Sequence, residues 1–96
     1  MKVERKDIIK NLPKKGFVRD DNGHHIYFYH QVNGKNTGPY TYVSHDKAKT
    51  KTFSDVTLIR KQLKLDTNKE AVQLIDCRMD GATYQAILRV KGITPD

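Results

Sequence analysis

Apolar positions change period several times along the chain, and each change marks an element. Between Arg5 and Leu12, Ile8, Ile9 and Leu12 recur at helical spacing while Lys6, Asp7, Lys10 and Asn11 fill the opposite side, which predicts a first amphipathic helix. Pro13 should end or kink it, because proline restricts the preceding residue and lacks an amide donor, and Gly16 suits a left-handed exit. Phe17 to Arg19 reads as a short strand, followed by the charged turn Asp20-Asp21-Asn22-Gly23. From His24 to Val32 the β-branched and aromatic residues predict a second strand. The run Asn33 to Pro39 is dense in turn formers and closes another hairpin, after which Tyr40 to His45 forms a third strand.

The second strand is apolar on both sides. Side chains alternate, so His24, Ile26, Phe28 and His30 share one face and His25, Tyr27 and Tyr29 the other. Burying Ile26 and Phe28 turns His24 toward the helices and exposes the tyrosines, while the reverse choice leaves His24 on the open face. Either way, one face of the sheet carries aromatic rings with no helix to cover it, a surface suited to base or ribose contact or to self-association.

Downstream, Asp46 to Lys51 is a polar, basic connection. Thr52-Phe53-Ser54-Asp55 resembles a capping box opening a second helix, with Val56, Ile59 and Leu63 on its buried face, Leu58 beside them, and Arg60, Lys61 and Lys64 solvated or facing phosphate. Thr67-Asn68-Lys69-Glu70 repeats the box before a third helix whose apolar side is Ala71, Leu74 and Ile75 or Cys77. Asp80 caps a fourth helix, striped by Tyr84, Ile87 and Leu88 and ended by Gly92, with Thr94 to Asp96 fraying. The pattern predicts an α+β fold: a three-stranded antiparallel sheet, two helices on one face, and two further helices packed on the rest of the chain.

Composition narrows the functional classes. Ninety-six residues make one domain, of a size that buries roughly 60–68% of its unfolded surface. Eighteen Lys and Arg against eleven Asp and Glu give a formal net charge of +7, which favours polyanionic partners, RNA or DNA first. The lone Cys77 forms no internal disulfide and packs within the third helix. No Cys/His cluster has zinc spacing, so neither metal nor cofactor is expected, and a reducing compartment is. No stretch approaches the ~20 apolar residues of a membrane span. The expected setting is the cytoplasm.

Chemistry concentrates at Asn22-Gly23-His24-His25, where a turn dipeptide places imidazole at a strand mouth. A histidine there is held by rigid backbone yet open to solvent, and its ordinary pKa of about 6.5 suits proton transfer near neutrality. Metal-independent RNA cleavage needs a base for the 2′-hydroxyl proton, an acid for the leaving 5′-oxygen and a cation for the phosphorane, all within reach of histidine and lysine. His24 is the base candidate. His25, His30 and His45 are candidates for the acid.

Gly16-Phe17, Gly23-His24-His25-Ile26-Tyr27, Val43-Ser44-His45 and Ile59-Arg60-Lys61-Gln62-Leu63-Lys64-Leu65, in that order, resemble the HicA family of small toxin ribonucleases across residues 3–65. The resemblance implies a double-stranded-RNA-binding-domain-like α-β-β-β-α fold, cleavage of messenger RNA, catalysis by His24 and neutralisation by an antitoxin of the HicB family. On that reading Gly23, His25, Lys35, His45, Lys47, Lys49 and Lys51 contact RNA. The chain departs from the family in Asn22-Gly23, in the long Val32 to Pro39 hairpin, in Pro13, and in residues 66–96, which have no counterpart in the minimal family. Two other classes fit the same residues: a non-catalytic RNA-binding module, and a DNA-binding regulator whose short basic helices imitate a helix-turn-helix, with Gln85 and Arg89 free to read bases.

Overall fold

The computed structural model describes residues 2–23, 25–44 and 53–93. It is an α+β fold in the order β1 (Lys2–Glu4), α1 (Arg5–Asn11), a 3-10 turn (Leu12–Lys15), β2 (Phe17–Asn22), β3 (His25–Val32), β4 (Lys35–Ser44), β5 (Phe53–Asp55), α2 (Val56–Gln62), α3 (Asn68–Ile75) and α4 (Gly81–Val90). The expected three-stranded antiparallel sheet is present, in the order β2-β3-β4. The expected frayed terminus and the Thr52 cap lie outside the described residues.

Pro13 acts as anticipated. α1 stops at Asn11, the chain tightens into the 3-10 turn with proline at its start, and Gly16 leaves it at φ +90°. The strands run longer than the sequence suggests. β2 continues to Asn22 because Asp20 and Asp21 pair with Tyr27 and Ile26, and β3 is described from His25, its expected first residue His24 lying outside the described residues. β4 begins at Lys35 because Asn33 and Gly34, both at positive φ, make a two-residue turn that pairs Val32 with Lys35. The extra turn formers downstream are absorbed by a bulge: between the pairs Tyr29–Tyr40 and Gln31–Asn36, residues 37–39 stand opposite His30 alone. Pro39 falls within this irregularity on an edge strand, where its missing donor is tolerated.

Ile26, Phe28 and His30 are the buried face of β3, and the tyrosines are left outside. Phenol groups keep their hydrogen bonds with water when half exposed, whereas Ile26 and Phe28 have nothing to lose by leaving it. With Val43 and Phe17 they join Ile8 and Leu12, the α2 residues Val56, Ile59 and Leu63, and Ala71, Leu74, Tyr84 and Leu88 from the last two helices in one apolar core. Each such side chain contributes about 1.5–3 kcal/mol relative to remaining exposed.

The C-terminal helices are part of that core. Asn11 Nδ2 donates to the Ile75 carbonyl across 2.7 Å, Tyr84 donates to the Leu63 carbonyl across 2.8 Å, and the buried Lys15 ammonium donates to the Met79 carbonyl. The predicted capping box of α3 is formed, with Thr67 accepting from the Glu70 amide and the Glu70 carboxylate accepting from the Thr67 amide. Asp80 caps α4 by accepting from the Thr83 amide, and hydrogen bonding by the Thr83 side chain together with that amide holds its carboxyl below the usual range. α2 starts at Val56, later than expected, and its cap is Asp55, accepting from the Thr57 amide. Cys77 corrects another expectation. α3 ends at Ile75, so Cys77 sits in the following turn at φ +72°, exposed, and Met79 takes the buried place. The short sheet of β1 on β5, pairing Val3 with Ser54, has no counterpart in the sequence reading.

Candidate nucleic-acid interface

Alternation along β3 and β4 delivers five rings to the side of the sheet that no described helix covers. Tyr27 stacks on Tyr29 with centroids 5.8 Å apart and planes 15° apart, and Tyr29 stacks on its cross-strand partner Tyr40 at 5.5 Å. Tyr42 lies 5.5 Å from Tyr27. His25 closes the ladder at one end, edge-on to Tyr42 at 4.9 Å. Tyr40 and Tyr42 are exposed and the other three rings half-buried. Val18, also exposed, pairs with Tyr29 from the β2 side and widens the apolar strip.

The two borders of this strip differ in charge. On the β2 side Asp20 pairs with Tyr27, and its carboxylate adds to the partial dehydration that raises the Tyr29 phenol above its ordinary pKa. Past the β4 edge, Gly38, Tyr40, Lys61, Gln62 and Lys64 line an open pocket of about 270 Å³. Gln62 is anchored there by accepting the Thr41 hydroxyl at 2.7 Å. The aromatic strip is therefore acidic along one margin and basic along the other.

His30 belongs to the opposite face. It is 2% exposed, its Nδ1 is 2.6 Å from the Thr37 hydroxyl, and Phe17 and Tyr84 meet it edge-on at 5.1 and 5.0 Å. Burial without an anionic partner lowers its pKa. A small cavity of about 90 Å³ beside it is lined by Thr37, Gln85 and Arg89 among others. His30 is thus a core histidine and cannot share a phosphate with His25. Gln85 and Arg89 face this cavity, while Tyr84 and Leu88 of the same helix are buried.

Of the described residues predicted to contact RNA, His25 is the one that joins the ladder. Gly23, exposed at φ +63°, stands in the β2–β3 connection, where Asn22 pairs with His25 and only Gly23 and His24 intervene. Lys35 is exposed at the other end of the β3–β4 hairpin, on the Val32 parity of the sheet and roughly 20 Å of strand from His25. His24, His45, Lys47, Lys49 and Lys51 lie outside the described residues. In the sequence the tyrosines are signalled by their alternation with Ile26 and Phe28. Lys61 and Lys64 carry no such signal, because about twenty residues of chain, β5 among them, separate them from Tyr40.

No helix among the described residues is long and apolar enough to cross a membrane. Compared with known proteins, the chain matches no family profile, no curated protein and no solved structure.

Proposed function

We propose that this protein engages single-stranded RNA on the tyrosine face and cleaves it without a metal, as a HicA-like ribonuclease toxin held in check by a HicB-like antitoxin in the cytoplasm. The observation that carries RNA engagement is the ladder of Tyr27, Tyr29, Tyr40, Tyr42 and His25, an uncovered aromatic platform with a basic margin. Aromatic platforms bind single strands because every base has a stacking face, and a cationic border tracks the backbone. The helix, three antiparallel strands and helix from α1 to α2 also support the finer double-stranded-RNA-binding-domain-like reading.

Cleavage rests on the resemblance in sequence. In this chemistry His24 acts from the β2–β3 connection, between Asn22 and its partner His25, rather than from the helix-covered face, and takes the proton of the 2′-hydroxyl, whose oxygen attacks the adjacent phosphorus as the bond to the 5′-oxygen breaks. An acid then protonates that leaving oxygen, and the product ends in a 2′,3′-cyclic phosphate. Burial of His30 leaves His25 and His45 as the acid candidates.

The test is RNA incubated in excess chelator, with cyclic-phosphate ends followed over time. His24→Ala should keep its affinity, which rests on many contacts, and lose about 10²–10⁴-fold in rate. Undiminished cleavage by that variant removes His24 from the mechanism. A wild type that binds RNA and does not cut is a binding module, and one that prefers duplex DNA across a salt series is the regulator.

A further inference from the structure

We propose that the pocket formed by Lys61, Gln62 and Lys64 beside Tyr40 is a phosphate subsite, so that a single RNA strand stacks its bases on the tyrosines and turns its backbone over the β4 edge. This rests on the RNA-binding reading above and adds a direction to it. The charge asymmetry supplies that direction. A strand lying on the rings must send its phosphates to one margin, and Asp20 beside Tyr27 repels them on the β2 side. On the β4 side Lys61 and Lys64 are exposed, and neither forms an ion pair among the described residues. Both line the same pocket as Tyr40, whose ring stacks on Tyr29.

The backbone fixes where Lys64 stands. Lys64 sits just past the end of α2 at φ +61°, with the Leu65 amide donating to the Arg60 carbonyl and the Lys64 amide to the Lys61 carbonyl. Glycine is the residue that such a left-handed helix exit favours, and a side chain there is strained. These hydrogen bonds close the end of α2 and hold Lys64 at a fixed place beside the pocket. The Thr41–Gln62 hydrogen bond fixes the end of α2 against the edge strand, and Gly38 of the β4 bulge lines the pocket with it. His25 closes the other end of the ladder, four residues from Tyr29 and so ~13 Å along the strand. The subsite therefore anchors the backbone away from His25 and leaves the phosphates near that ring for chemistry.

The experiment measures affinity of a 2′-O-methyl RNA 12-mer, which lacks the attacking hydroxyl, across a salt series. Each phosphate contact to a single strand contributes about 0.7 to the slope of log affinity against log salt. Lys61→Gln with Lys64→Gln should flatten that slope by about 1.4 units and weaken binding at low salt, and the double arginine variant should restore both. The control, Lys10→Gln with Lys14→Gln on the first helix and the 3-10 turn, changes net charge equally and should leave the slope near wild type. Lys64→Gly should raise the melting temperature while weakening binding. Equal slopes for the two glutamine pairs, or a stabilised Lys64→Gly protein with unchanged affinity, would overturn the subsite and leave RNA binding standing. A wild type with no affinity for the 12-mer would overturn both.

Discussion

Tyr84 of α4 donates its phenolic hydrogen to the carbonyl of Leu63 across 2.8 Å, while Phe17 stacks on its ring at 5.5 Å and His30 meets it edge-on at 5.0 Å. One side chain thus joins the last helix to the end of α2 and to the sheet. Its burial pushes the phenol pKa above the ordinary range, so it stays a donor at any physiological pH. Tyr84→Phe should cost about 1 kcal/mol, the usual worth of one hydrogen bond, and Tyr84→Ala about 3–5 kcal/mol from the cavity it opens. Urea unfolding of the two variants checks both. Removing residues 66–96 should lower the melting temperature sharply, since Ala71, Leu74, Tyr84 and Leu88 leave the core with them.

Gly81 offers a sharper test of the same junction. A β-carbon there would lie 3.0 Å from the Cα, carbonyl carbon and carbonyl oxygen of Lys15, and the Lys15 ammonium is tied to Met79 just upstream. Replacing glycine by alanine in a helix ordinarily stabilises it by about 0.5–1 kcal/mol. Here Gly81→Ala should destabilise, because the neighbour that must move is main chain. A thermal melt of that variant decides the sign.

Stability should fall in mild acid because of His30. The folded protein disfavours imidazolium at this buried position, so its pKa is lowered, while the unfolded chain protonates near the ordinary value of 6.5. Below that value the unfolded state binds more protons and gains relative stability. The contribution of His30 is therefore complete above the ordinary histidine pKa and is lost as pH falls from there toward the folded value. Unfolding free energies measured between pH 8 and pH 5 should show the decline, and His30→Gln should reduce its slope.

These elements differ in how openly the sequence declares them. The α1 stripe of Ile8, Ile9 and Leu12, the Thr67 box and the Asp80 cap were legible because each is decided within one or two turns of chain. The face chosen by β3 was not, since Ile26 and Phe28 compete with Tyr27 and Tyr29 and only the helices contributed from elsewhere in the chain settle which side is covered. β1 and β5 have three residues each, too few to display a period, and they meet across about fifty residues of sequence. The bulge opposite His30 hid within a run of turn formers that reads as a loop. The lysine pocket depends on Thr41 meeting Gln62, a contact no local pattern announces.

The ladder itself should be dispensable for folding and necessary for binding. Tyr27→Ser together with Tyr29→Ser removes two stacked rings that are half-buried at most. RNA affinity should drop by about 1–3 kcal/mol for each base that loses its platform, and the salt slope should persist because the phosphate contacts remain. Circular dichroism and melting should show the fold retained.

The chain has five tyrosines and no tryptophan, and four of the five phenols lie on the open ladder while Tyr84 alone is buried. Its near-ultraviolet emission therefore comes chiefly from the surface under discussion. A nucleobase stacked on those rings would quench it directly, so titration of the unlabelled protein reports occupancy of the face without a dye. The Tyr84→Phe protein would leave a signal from the ladder alone.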